Sequence, residues 1–197
     1  MKEIFEHGYF NRYSNVSLAE ARSTVLKHSG YEYYTQGKTT IFISHKHDDL
    51  DDLKGLLGFL ESNYNVKVYI DSQDPKMPKK TSNETALIIR ERIKQCDKFI
   101  LLATNDAIES KWCNWELGFG DAQKFDSHIA LFPIKPKGTN DIDYKGNEYM
   151  AIYPYIAYLD GSEKDTNGSP ITKGFYVCKK GKDTTNIESL SNWLNKR

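Results

Sequence analysis

The chain predicts an α/β fold with a parallel sheet covered on both faces. Two observations carry this: from Thr39 onwards short β-rich runs alternate with helix-periodic segments, and five such runs follow one another before residue 160. The amount of apolar material agrees. With 197 residues, 39% hydrophobic and 13% aromatic, there is enough for one well-filled core with decorations rather than two domains.

In chain order, residues 1–37 read as an N-terminal helical extension. Ser17 and Glu20 form a capping box, Val16 and Ala21 a hydrophobic staple, and the helix runs to about His28 before stopping at Gly30. Leu18, Ala21 and Val25 make one apolar stripe that docks it on the main domain, and the Tyr31–Tyr34 cluster reads as docking surface. Residues 38–197 form the main domain. Thr40–Ser44 is its first strand. After an acidic loop, in which Asp48 or Asp49 serves as N-cap, Leu50, Leu53, Leu56, Leu57 and Leu60 fall at helical spacing. Val66–Ile70 is the second strand. A polar loop from Asp71 to about Ser82 leads to a helix capped by Thr81 and Glu84, with a face of Ala86, Ile89 and Ile93. Lys98–Ala103 is the third strand, His128–Ile134 the fourth and Ile152–Leu159 the fifth. A strand-like piece, Phe175–Cys178, follows in a Gly- and Lys-rich stretch, and Ile187, Leu190, Trp193 and Leu194 predict a closing amphipathic C-terminal helix.

Charge and cysteine usage exclude several functions. Lys and Arg balance Asp and Glu, 27 against 27, which leaves no basic footprint for nucleic acid. No run is long and apolar enough for a signal peptide or a membrane span. Cys96, Cys113 and Cys178 lack metal-ligand spacing and read as free thiols of a cytoplasmic protein. The His45-Lys-His-Asp-Asp49 run has no second ligand cluster, so its histidines read as solvated and no metal site is expected.

Ser110-Lys-Trp-Cys-Asn-Trp-Glu116 is the most informative stretch. It sets Trp112 and Glu116 one helical turn apart, on one face, at the start of the helix that follows the third strand. In open α/β sheets ligands lie outside the carboxyl ends of the strands. An indole plane beside one carboxylate in that crevice suits a ribose carrying an aromatic base, so this is a nucleotide site; the bland alternative is a solvated glutamate beside a core indole. Trp115 pairs with Phe119 and reads as core, while close packing of this helix on the sheet accounts for Gly118 and Gly120. Ser44 and His45, at the end of the first strand, border the same crevice. No serine–histidine–acid triad and no Gly-rich phosphate loop can be assembled. Phosphate contacts fall to backbone amides, helix N-termini and loop lysines such as Lys46 or Lys79.

Together these pieces resemble the TIR domain family. Ile41-Phe-Ile-Ser-His45 looks like its first strand, and Val68-Tyr-Ile-Asp71 like its second, with Asp71 opening the BB loop. Ile89–Ile93 and Cys96–Leu102 look like its second helix and third strand, and Trp112 to Glu116 like the Trp-x-x-x-Glu signature of the enzymatic members. The likeness is good over residues 38–135. It implies a flavodoxin-like five-stranded parallel sheet with helices on both faces. It implies an enzyme that cleaves NAD⁺ between nicotinamide and ribose, with NAD⁺ as substrate and no cofactor. Glu116 is then the catalytic residue, and Ser44, His45, Asp71, Ser110 and Trp112 line the substrate site. It also implies a homo-oligomer formed through TIR–TIR contacts. The stand-alone arrangement resembles bacterial defence TIR proteins, in particular the signal-making subunit of Thoeris anti-phage systems, whose cyclic ADP-ribose product is sensed by a downstream effector. A non-catalytic TIR adaptor, an NAD⁺-depleting hydrolase and a nucleoside deoxyribosyltransferase are the alternatives.

Overall fold

The computed structural model describes residues 1–14, 37–71, 74, 76–78, 80, 82–124, 126–139 and 148–196. The expected helix over 17–28, the Tyr31–Tyr34 cluster and the Thr81 cap lie outside these residues.

The described strands form an eight-stranded sheet: β1 (Phe5–Glu6), β2 (Thr39–Ser44), β3 (Val66–Tyr69), β4 (Lys98–Ala103), β5 (Ile129–Lys135), β6 (Tyr155–Leu159), β7 (Gly174–Lys180) and β8 (Thr185–Ser189). Their order is β3-β2-β4-β5-β6-β7-β8, with β1 set beside β5. The five strands from β3 to β6 are parallel, in the flavodoxin-like arrangement, and β7 and β8 continue the sheet antiparallel. Among the described residues, five α-helices pack around it: α1 (Leu50–Asn63), α2 (Asn83–Gln95), α3 (Asn105–Glu109), α4 (Lys111–Gln123) and α5 (Leu190–Asn195). No helix among the described residues is long and apolar enough to cross a membrane.

Strands β2, β4 and β5 are buried on both faces, as parallel strands under two helical layers must be. One core joins Ile41, Ile43, Ile100 and Phe132 to α1 and α5. The other joins Phe42, Phe99, Leu101 and Leu131 to α2, α3 and α4.

Residues 1–14 belong to the first of these cores. Phe5 pairs with Ile134 in the β1–β5 ladder. Lys2 exchanges two backbone hydrogen bonds with Tyr158 of β6, at 2.7 and 2.9 Å. The segment is thus wedged between β5 and β6, whose own pairing is limited to Leu131 and Tyr155. Pro133, which has no N–H for a ladder, sits where the neighbour of β5 changes from β6 to β1. Phe5 and Phe10 then stack among Phe132, Phe59 and Phe175 with ring centroids 4.6–6.0 Å apart. Two glycines of α1 admit this segment. A Cβ at Gly55 would lie 2.8 Å from the Phe10 carbonyl oxygen, and one at Gly58 would run into the Tyr13 carbonyl.

Several boundaries differ from expectation. The fifth strand starts at Tyr155, not Ile152, because residues 148–152 form a 3₁₀ turn and Pro154 interrupts the chain before pairing begins. Ile187 lies in β8, opposite Cys178, rather than in the closing helix. That helix begins only at Leu190, where the Ser189 hydroxyl accepts the Asn192 N–H at 3.2 Å. Asp49 precedes α1 but caps nothing with its side chain. Ser82 opens α2, its N–H donating to Thr85 Oγ1 at 3.0 Å.

These packing distances predict opposite outcomes for two glycines. Gly58→Ala should cost about 2 kcal/mol or more, since backbone must move, lowering the melting temperature by roughly 4–8 °C. Gly118 has open space around its Cβ position, so Gly118→Ala should gain up to about 1 kcal/mol of helix propensity and melt higher. Thermal denaturation of both variants checks this.

Candidate active site

The chain order reverses between β2 and β4: from β2 it steps outward to β3, then returns to lay β4 against the other side of β2. The crevice above the carboxyl ends at such a reversal is the ligand site of open α/β sheets. β2 ends there with Ser44, and α4 packs over it against β2 and β4. Ser110 starts α4, its Oγ accepting the Cys113 N–H at 3.3 Å. Gly120, whose added Cβ would lie 3.0 Å from the Phe99 ring, lets the helix approach the sheet closely. Gly118 faces open space and owes nothing to that packing.

Glu116 is carried inward by this helix and is 3% exposed. The Ser44 hydroxyl donates to its Oε2 at 2.6 Å. Burial pushes the Glu116 carboxyl up to about 8, and the nearby charge of Asp71 adds to this; the Ser44 hydroxyl and the Trp112 indole pull the other way. Trp112 is half-buried, with its ring centroid 5.1 Å from that of Trp115. Trp115 does stack on Phe119, at 6.2 Å, but it is exposed rather than core, because it sits on the outer face of α4.

His45 is not solvated as expected. Its side chain is 4% exposed, with Nε2 3.8 Å from Asp71 Oδ1 and Nδ1 3.4 Å from the Ile43 carbonyl oxygen. Thus Ser44, Trp112 and Glu116 converge, while His45 and Asp71 pair beside them. The Ser110 hydroxyl is engaged in its cap next to Cys113. Serine and histidine are not joined: Ser44 serves Glu116 and His45 faces Asp71. The His45–Asp49 run does not converge either, with His47 exposed and Asp49 Oδ2 accepting the Thr104 hydroxyl at 2.6 Å.

Two supporting groups were missed from sequence. Asp74, buried at 6% exposure, accepts from Arg92 Nε at 2.8 Å, Tyr69 Oη at 2.9 Å and the Lys76 N–H at 2.9 Å. Burial alone would push its carboxyl up, but the Arg92, Lys76 and Tyr69 hydrogen bonds hold it below the ordinary value. It ties the loop after β3, which begins with Asp71, to α2. Thr104 caps α3 by accepting the Ala107 N–H and also donates to Asp49. Neither has a periodic signature; only a polar residue directly after an apolar strand hinted at Thr104.

A buried carboxyl with a hydroxyl and an indole beside it, at the reversal point of the sheet, can stabilise positive charge developing on a ribose placed against it. The sequence profile described as "TIR domain" matches residues 41–168. A protein of Bacillus cereus (strain MSX-D12), named "Probable 3' cyclic ADP-D-ribose synthase ThsB'", is 33% identical over 141 residues, covering 70% of each chain. This chain belongs to the TIR domain family.

The raised carboxyl has a stability consequence. Its folded value, about 8, lies above the ordinary 4.5, so the folded state keeps a proton that the unfolded chain releases. The stability this confers is complete below the unfolded value and is lost as pH rises through the window up to about 8. Glu116→Gln has no such loss. Its melting temperature should exceed that of the wild type at pH 8–9, with the gap closing towards pH 5, in parallel thermal melts.

Proposed function

We propose that this protein cleaves NAD⁺ between nicotinamide and ribose and closes the remaining ADP-ribose into a cyclic messenger for bacterial anti-phage defence. The observation that carries this is Glu116, dry and oriented by Ser44 at the reversal point of the sheet, in a chain one-third identical to a cyclic ADP-ribose synthase by name. Nicotinamide leaves as a neutral molecule, so no general acid has to protonate it. Glycosidases need a second carboxyl chiefly because their leaving group does. One carboxylate beside the ribose is sufficient here, since positive charge passes onto the sugar as the bond breaks. The Trp112 face offers a stacking surface for an aromatic base. Exclusion of water from the buried crevice favours capture of the sugar by a group of the same molecule over hydrolysis.

NAD⁺ as substrate implies action in the cytoplasm, and a cyclic product implies a downstream effector that senses it. We also read the protein as a homo-oligomer, the loop after β3 meeting a neighbouring subunit, so the rate per subunit should rise with protein concentration.

The test is chromatography with mass detection of NAD⁺ incubations. Wild type should release nicotinamide with a cyclic product, and Glu116→Gln should lower this by roughly 10²-fold or more. Because the carboxylate is the working form, kcat/KM should climb with pH and level off above about 8. Nicotinamide release unchanged by Glu116→Gln, at any protein concentration, would overturn the reading in favour of an adaptor.

A further inference from the structure

We propose that His45 is a catalytic base: it takes the proton from a sugar hydroxyl of the substrate as that oxygen captures the ribose carbon, so that the product ring closes through oxygen. The inference rests on the NAD⁺-cleaving reading above and deepens it.

The imidazole is oriented for this role. A carbonyl can only accept, so the nitrogen 3.4 Å from the Ile43 carbonyl oxygen, Nδ1, is the one that carries hydrogen. Nε2 then keeps its lone pair. It faces Asp71 Oδ1 at 3.8 Å, too far for a direct hydrogen bond, yet a hydroxyl oxygen can sit about 2.8 Å from both atoms. The His45 side chain is closed to water at 4% exposure, whereas Asp71 is 33% exposed. The Asp71 side is therefore where the proton returns to solvent. Ser44, which holds Glu116, directly precedes His45 in the chain. The group that steadies the cation and the group that takes the proton are thus positioned by the end of one strand.

The nature of the nucleophile follows from what it must lose. An adenine ring nitrogen attacks with its lone pair and has no proton to surrender. A hydroxyl must give one up. As the bond from the ribose carbon to nicotinamide breaks, its electron pair leaves with neutral nicotinamide. The hydroxyl oxygen donates a pair to the same carbon, and its proton passes to His45 Nε2.

The experiment measures the ratio of cyclic to linear ADP-ribose, which does not depend on total rate. His45→Asn retains an amide able to donate to the Ile43 carbonyl but lacks Nε2, and should lower the ratio at least tenfold. Asp71→Asn, on a more exposed side chain, should move it in the same direction and decides the matter should the histidine variant fail to fold. A ratio unchanged in the folded variants overturns the inference, as does a wild-type cyclic product joined through an adenine nitrogen or a wild type forming linear product alone. In all three cases NAD⁺ cleavage itself stands. A wild type that releases no nicotinamide overturns the functional reading and this inference with it.

Discussion

A carboxyl group removed from water must either find a counter-charge or keep its proton, and among the described residues neither a lysine nor an arginine is set against Glu116. Its partners are a hydroxyl and an indole, which temper the cost of the anion without cancelling it. The neutral acid is therefore preferred up to about pH 8. Under the function proposed above, a positively charged nicotinamide riboside unit entering the site would supply the missing charge and make the carboxylate favourable. On that reading such a group would be matched to the developing cation more than to the resting state, which is the condition for lowering a barrier rather than only binding tightly. The cap at Ser110 and the close approach allowed by Gly120 serve that one placement.

Asp74 gathers Tyr69 from β3, Arg92 from α2 and its own loop backbone into one hydrogen-bonded knot. Because one carboxylate meets three donors, the knot survives burial that would otherwise be unfavourable. Asp71, three residues earlier, is held near His45 by this anchor. On the opposite face of the sheet the aromatic cluster around Phe10 gives the strands a stiff backing.

The parallel core was legible because its strands are strong apolar runs and its helices have regular spacing: Lys98–Ala103 begins and ends where the pattern says, and Leu50 to Leu60 marks α1. The Trp112/Glu116 pairing was legible because four residues along a helix is one turn. Other features were not, for physical reasons. Phe5–Glu6 is a two-residue strand held by tertiary pairing, with no periodicity to read. Ile187 and Trp193 fit one helical stripe in sequence, but the edge of β7 competes for the first of them and wins by forming a ladder. Trp115 looks like core by composition, although its position on α4 turns it outward. The burial of His45 and the Asp74 knot arise from side chains meeting across the chain, where no local pattern exists.

The wedge formed by the first residues has a bearing on how the molecule is made. Residues 2–6 can settle only between strands that end at Lys135 and Leu159, so a segment early in the sequence waits for partners that lie far along it. Until then Phe5 and Phe10 remain without their cavity and the gap beside Ile134 stays open. Contacts of such sequence separation slow folding, and apolar surface waiting for a late partner is where aggregation starts. Production of this protein should thus be more sensitive to changes in its first ten residues than their distance along the chain from Glu116 suggests.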